Sequence, residues 1–394
     1  MVSPPTVSDL LIVKDTHQKL QVRHGYDYIE LVSHEISEQS ALNDTTPAVA
    51  RASIPDYLKD KVYVVDSVKS GKGRDSKTDL YNIVLEPILT ALAVDHQYVA
   101  TTSADSIRQF ASTLPEGQNA TVVFISGDTS ISEFVNGLSG VSSGNITIFP
   151  IPSGTGNSLA LSLGFVDELR AIQRLLQAVE KPAPLNLYDV QFPEGSYFLI
   201  QDAIGPQITQ PLKFTVVVSW GFHAALVADS DTPELRKNGI ERFKLAAFAN
   251  LQREQKYEGS VSVNGHRIEG PFAYWVLTSS KKFEPTFEIS PEGNIFDDNL
   301  YLISFKTEES SSYIMDIMKQ VYDKGSHVHN PKVSYQKISN GDRVLLHTLN
   351  SKNKQQRRFC VDGSIVALPE TDEHEIAIRA TGNKHNGWSL YVVH

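Results

Sequence analysis

The stretch Thr121-Val122-Val123-Phe124-Ile125-Ser126-Gly127-Asp128-Thr129-Ser130, with Ile146-Thr147-Ile148-Phe149-Pro150-Ile151-Pro152-Ser153-Gly154-Thr155-Gly156-Asn157-Ser158 after it, decides the fold. Each half is a short apolar run delivered into small residues. The first run is β-branched and aromatic and too short for a buried helix, so it reads as a central strand. Glycine at a strand end leaves backbone N–H groups open to phosphate oxygens, with no Cβ in the way. Residues 131–138 read as a short helix ended by Gly137 and Ser139-Gly140, and the second loop opens a helix over 158–163. Asp128 therefore falls at the carboxyl end of a parallel strand, where open α/β sheets hold their ligands. Two such units in succession predict a nucleotide site.

Outward from there the alternation continues. A strand at 62–65 leads into a loop carrying Ser70-Gly71-Lys72-Gly73, then a helix at 80–92, a strand at 98–101 and a helix at 106–114. This spacing predicts a parallel sheet with helices on both faces. No single loop carries the reading. Gly154-Thr155-Gly156 has Leu159 where a dinucleotide fingerprint has its third glycine, and Ser70-Gly71-Lys72-Gly73 lacks the Ser or Thr of a Walker A loop. Residues 1–56 read as an N-terminal extension with one strand or hairpin region at Tyr28-Ile29-Glu30-Leu31-Val32. Lys181-Pro182-Ala183-Pro184 reads as a linker. Beyond it come repeated strands with hairpin signals, such as Asn264-Gly265, which suits a primed turn. One amphipathic helix interrupts them, with Ile314, Ile317, Met318, Val321 and Tyr322 on one face and Gly325 at its end. The expected fold is α/β: a Rossmann-like nucleotide domain over 57–184, a β-rich antiparallel sandwich over 185–394, and a site in the cleft between them.

Composition narrows the function classes. The chain has 394 residues, 41% hydrophobic and 21% charged, ordinary for a globular protein. A net charge of −10 argues against a nucleic-acid partner, which needs a basic footprint. Apolar stretches fall short of a membrane span and the start lacks a secretory pattern, so a cytoplasmic protein with peripheral membrane association is expected. The one cysteine, Cys360, excludes an intramolecular disulfide and reads as a packed thiol in a strand.

The segment 126–138, followed by Pro152-Ser153-Gly154-Thr155-Gly156-Asn157-Ser158-Leu159-Ala160, resembles the catalytic domain of the diacylglycerol kinase, sphingosine kinase and ceramide kinase superfamily. That pattern is [GS]-G-D-G-x-x-x-E-x-x-N-G-L, then P-x-G-T-G-N-x-x-A. Ser219-Trp220-Gly221-Phe222, Asp229-Ser230-Asp231, Arg236, Gly239, Arg242-Phe243 and Tyr257-Glu258-Gly259 are similar to its sphingosine-kinase-like branch, of fungal type. The resemblance runs from about Val62 to the C-terminus. It implies an ATP- and Mg²⁺-dependent kinase acting on a hydroxyl of a sphingoid base, ceramide or diacylglycerol. Asp128 would be catalytic, activating the acceptor hydroxyl. ATP would meet Ser70, Gly71, Gly73, Thr101, Ser126, Gly127, Thr129, Glu133, Gly154, Thr155, Gly156, Asn157, Arg236, Arg242, Asp362 and Gly363. His223, Ala225 and Asp229 would lie at the lipid head group, and no residue is assigned as a metal ligand.

The departures are as specific as the matches. Thr129 replaces a glycine, Asp66-Ser67 stands for Asn-Pro, Asp362-Gly363-Ser364 for Asp-Gly-Glu, and Ala225 for the head-group aspartate. If the glycine at 129 takes positive φ, threonine there is strained by about 1–3 kcal/mol or reshapes the loop. Arg236 and Arg242, with Asn238-Gly239 between them, are expected to converge on phosphates, the alternative being solvated helix-end arginines. Asp128 has the alternative of a helix cap, Thr101 of a turn hydroxyl, and Glu133 of a solvent-facing side chain. His327-Val328-His329 reads as a half-exposed strand, and Lys352, Lys354, Arg357 and Arg358 as a charged loop that can touch anionic lipid. Two other functions stay open: a catalytically silent nucleotide or lipid binder, and a soluble-metabolite kinase of the NAD kinase type.

Overall fold

A computed structural model describes residues 5–71, 73–140, 143–177, 180–239, 241–310, 312–351 and 353–394; Lys72 and Lys352 lie outside them. The two quoted apolar runs form neighbouring strands, Ala120–Ser126 and Asn145–Pro152. They pair in parallel, and Lys61–Asp66 and His96–Ala100 extend the sheet on the far side of Ala120–Ser126, also in parallel. Every residue of Ala120–Ser126 is buried, as a strand covered on both faces requires. The expected helix at 80–92 starts as a π turn, Tyr81–Leu85, and becomes α-helical at Glu86–Ala91. Pro87 supplies the physical reason, since it has no N–H for the α pattern.

The boundary expected at residue 184 is crossed twice. Trp388–Val392 returns to pair in parallel with Asn145–Pro152. Ala183–Pro184, read as linker, pairs antiparallel with that same returning strand. Residues 1–56 also hold more than one hairpin. Thr6–Val13, Gln18–His24 and Ile29–Glu35 make an antiparallel meander with Ala48–Val49 added in parallel. Its Leu10, Leu11, Val13, Leu20 and Val22 share a core with Val62, Val64, Leu85, Phe149 and Leu175. The meander is therefore a further layer of the α/β part.

The rest is a sandwich of an eight-stranded and a six-stranded sheet. Alternation along Val217–Gly221 and Phe272–Thr278 sorts the two faces. Val218, Trp220, Trp275 and Leu277 pack between the two sheets. Val217, Tyr274 and Val276 face the other way and join Ile131, Phe134 and Val135 of the α/β part in one core. Asn136 fastens the halves, accepting from the Lys213 N–H at 2.8 Å and donating to its carbonyl at 2.8 Å. The expected helix is found at Tyr313–Tyr322, with Gly325 following at φ +71°. Asn264-Gly265 makes the expected turn with φ +49° and +87°.

Candidate active site

The glycine-bearing loops meet at the carboxyl ends of the parallel strands, and they meet backbone to backbone. A Cβ on Gly127 would lie 2.6 Å from the Gly156 carbonyl, and one on Gly154 would lie 2.6 Å from the Gly127 nitrogen. Neither position tolerates a side chain without moving main chain. Gly156 is the exception: it is exposed, and a Cβ there meets nothing within 4 Å among the described residues. The first loop joins from the side, with Ser70 Oγ donating to the Ser153 carbonyl at 3.1 Å and Gly71 at φ +62° against that same oxygen. Gly73 also has positive φ, +76°. Thr101 Oγ1 accepts from the Val68 N–H at 3.3 Å, so this threonine braces the first loop.

Asn157 precedes the helix Ser158–Ser162 and closes the Gly154 turn, accepting from its N–H at 3.0 Å and donating to its carbonyl at 2.8 Å. Ser126 Oγ donates to the Gly127 carbonyl at 3.2 Å, and Thr155 stays partly exposed. The carboxylate of Asp128 accepts from the N–H groups of Ser158, at 2.7 Å, and Leu159, at 3.0 Å. It caps the helix of the other loop, which the sequence held as an alternative. Burial raises its pKa, and the two N–H donors oppose that rise. Two carboxylate oxygens offer about four lone-pair sites; the two N–H groups and the Ser158 side chain use three, so about one remains for a hydroxyl donor.

Thr129 lies in the first turn of the helix Asp128–Gly137 and is not among the residues with positive φ, so the expected backbone strain does not arise. Its hydroxyl instead fills the space where a Cβ on Gly363 would stand. Asp362 and Gly363, at φ +44° and +89°, are the two-residue turn joining Arg358–Val361 to Ser364–Ala367, with the signs a type I′ turn needs. The Asp362 carboxylate accepts from the N–H groups of Thr215 at 2.7 Å, Val216 at 3.0 Å and Val217 at 2.8 Å. Its pKa is pushed up to about 7, chiefly by burial, with the nearby Asp128 charge contributing. These bonds tie the turn to residues 215–217 within the sandwich, and it is Gly363 that meets Thr129 of the α/β part. Glu133, one turn along from Thr129, is mostly withdrawn from solvent and does not face it freely. Desolvation pushes its pKa up to about 7, Arg108 working against the rise.

Several expected site residues are engaged elsewhere. Arg236 and Arg242 do converge, but on Asp231, at 2.7 and 3.6 Å. Asp229 is held by Arg358 at 2.6 Å and Arg253 at 3.2 Å, and accepts from Asn250 Nδ2 at 3.0 Å. Arg358 is nine-tenths buried, so this ion pair fastens the helix Phe222–Ser230 to the sheet. Arg357 is buried as well, bonded to the Leu368 carbonyl and Glu370, so neither arginine belongs to a lipid-facing loop. Ala225 is buried, only 1% exposed. His223 Nδ1 sits 2.7 Å from Ser219 Oγ, and burial lowers its pKa to about 4, which keeps the ring neutral at physiological pH. His327 and His329 lie in a 3-10 helix, Ser326–His329, not a strand, and His327 bonds the Ile289 carbonyl at 3.0 Å. Cys360 is buried, its thiol pushed up to about 12. Among the described residues no cluster of three His, Cys, Asp or Glu side chains can hold a metal, and no helix is long and apolar enough to cross a membrane.

The Asp229 assignment is checked by Asp229→Ala. Removing one member of a largely buried pair costs about 3–5 kcal/mol, and a value near 3 is expected because Asp229 keeps about a fifth of its surface exposed. Denaturant melts should register that loss. Wild-type stability would return Asp229 to the substrate.

Sequence reasoning noted Asp66 only as a departure from the family pattern and passed over Arg74. Arg74 Nη2 bonds the Asp66 carboxylate, the Ser67 carbonyl at 2.6 Å and the Ile125 carbonyl at 3.1 Å. A carboxylate ending an apolar strand, with an arginine eight residues on, was the available signal.

The comparisons with known proteins match this architecture. The family model of the diacylglycerol kinase catalytic domain matches residues 61–186. Over 214 residues the chain is 25% identical to sphingosine kinase 1 of Rattus norvegicus, covering 51% of each chain. It is 43% identical over 77 residues to sphingosine kinase B of Dictyostelium discoideum, covering 18% of this chain and 10% of that one. Against the rat protein, the match thus spans about half of the relative's length. A crystal structure of a diacylglycerol kinase from Bacillus anthracis str. Sterne has a TM-score of 0.50 at 15% identity, covering 84% of this chain and 96% of that one. Another from the same organism reaches 0.56 at 16% identity with the same coverage, and these likenesses show the fold. With its stacked glycine loops and its sandwich half, the chain carries a diacylglycerol kinase catalytic domain at residues 61–186 and is similar to the superfamily of diacylglycerol and sphingosine kinases.

Proposed function

We propose that this protein is an ATP-dependent lipid kinase that phosphorylates a hydroxyl of a sphingoid base, ceramide or diacylglycerol. The observation that carries the reading is the exposed Gly156, open on its Cβ side, beside two loops packed too closely to admit any side chain. Phosphoryl transfer needs phosphates held and an acceptor hydroxyl oriented, with little covalent chemistry from the protein. The cradle at Gly71, Gly127, Gly154 and Gly156 fits the first task. Asp128, with a lone pair left over, fits the second, accepting the hydroxyl proton or aligning the oxygen.

The donor set fits Mg²⁺ only as an ion that arrives with the nucleotide. Mg²⁺ is commonly held by one or two carboxylates plus substrate phosphates, and there it neutralises developing charge. Leu245 and Phe248, three apart on the helix Glu241–Leu251, are 48% and 73% exposed. An apolar pair on one helix face suits peripheral contact with a membrane, where the acceptor would be met.

A second reading, a nucleotide binder without turnover, is favoured by the capping role of Asp128. Incubation with labelled ATP, Mg²⁺ and mixed micelles of sphingosine, ceramide or diacylglycerol separates the two. A labelled lipid is expected. ATP binding without any labelled lipid would establish the silent binder instead.

A further inference from the structure

The first glycine-bearing loop is closed by a buried ion pair, and the pair sits under the place where three loops meet. Asp66 is the last residue of the strand Lys61–Asp66, with its side chain 2% exposed. Arg74 folds back onto it and is 9% exposed. Besides the carboxylate, its Nη2 reaches carbonyls at the ends of two adjacent parallel strands, Ser67 and Ile125. Tyr98 donates to the other Asp66 oxygen at 3.1 Å and stacks on Tyr81 with ring centroids 3.9 Å apart. The backbone closes the same turn, with the Arg74 N–H on the Val68 carbonyl at 3.0 Å and the Gly73 N–H on the Ser70 carbonyl at 2.9 Å. Ser70 and Gly71 at its tip press on Ser153.

Two features distinguish this from an ordinary surface bridge. A buried ion pair is costly to form and gains little over apolar packing, so what it adds is a fixed geometry. And the Arg74 Nε is buried without a partner among the described residues, so the guanidinium is held where its hydrogen bonds to them are not all met. Its placement follows the strand ends, whose two carbonyls Nη2 meets. Its charge is matched by Asp66, so it does not act as a free cation toward phosphate.

We propose that the Asp66–Arg74 pair is the positioning device of the nucleotide site, fixing the first loop against residues 153–156 so that both loops receive the phosphates of one ligand. This rests on the nucleotide-binding reading above. Arg74 and Asp66 are positioning residues; neither touches the reacting atoms.

The test measures Mg-ATP affinity with a fluorescent ATP analogue, steady-state kcat and both KM values, and melting temperature. The variants are Arg74→Ala, Arg74→Lys, Asp66→Asn and the double Asp66→Asn/Arg74→Met. Arg74→Ala should raise the ATP Kd and KM about tenfold, with kcat and lipid KM within about threefold. All three acceptors are met by Nη2, one bond farther out than a lysine ammonium reaches, so Arg74→Lys should fold and still raise the ATP Kd severalfold. The double variant, with no uncompensated buried charge, should bind ATP better than Asp66→Asn alone. Unchanged ATP affinity in Arg74→Lys and in a folded Arg74→Ala would overturn the proposal. So would equal losses in kcat and both KM values that simply follow the melting temperature. A wild-type protein that binds no ATP would overturn the nucleotide reading itself, and this inference with it.

Discussion

Asp128→Asn is expected to lower kcat by roughly 100-fold or more while leaving ATP affinity within a few-fold. In the proposed role the carboxylate does two things at once, and asparagine would do each by half. It accepts from the Ser158 and Leu159 N–H groups on different oxygens. An asparagine has one carbonyl oxygen for two donors, and its NH₂ would point at the other N–H. An unmet buried donor costs about 1–3 kcal/mol, so a lower melting temperature should accompany the kinetic loss. The lost basicity removes the proton acceptor. A folded Asp128→Asn protein with near-normal kcat would take Asp128 out of the mechanism and leave it as a helix cap.

The second large effect separates two glycines three residues or fewer from each other in sequence and far apart in environment. Gly156→Val projects into open space, so the variant should fold, yet the branched side chain should raise the ATP Kd tenfold or more, about 1.4 kcal/mol. Gly154→Val drives a side chain into the Gly127 backbone, where overpacking costs typically about 1–3 kcal/mol or more. Its signature should be lost stability first. Wild-type ATP affinity in Gly156→Val would show that the open side of this loop is not where nucleotide lies.

The α/β half was legible because its two central strands are short β-branched runs leading into glycine loops, and because βα units must close in parallel. The sandwich was legible as strands but not as topology. Nothing local in Trp388–Val392 says that it crosses back to Asn145–Pro152, a pairing fixed only by the assembled sheet. The N-terminal meander was hidden by its sequence. Leu10 to Val13 form one unbroken apolar run, and the register shifts between Asp9 and Leu11, so the period of two is lost.

Site residues divide the same way. Gly127 and Gly154 were readable because glycine states a backbone need, whereas at Gly156 the fold itself makes no such demand. Asp229, Arg236 and Arg242 were not, because a charged side chain names no partner, and each found an ion pair inside the protein. Asp362-Gly363 carried a hairpin signal of its own, an Asp-Gly pair between apolar strands, beneath the family motif.

The central claim is that the stacked glycine loops receive the phosphates of ATP, and hydrogen exchange on the wild-type protein tests it most directly. Adding Mg-ATP is predicted to slow exchange in peptides covering residues 67–74, 126–130 and 153–159, leaving the six-stranded sheet unchanged. Exchange at those three segments unaffected by saturating Mg-ATP would contradict the account.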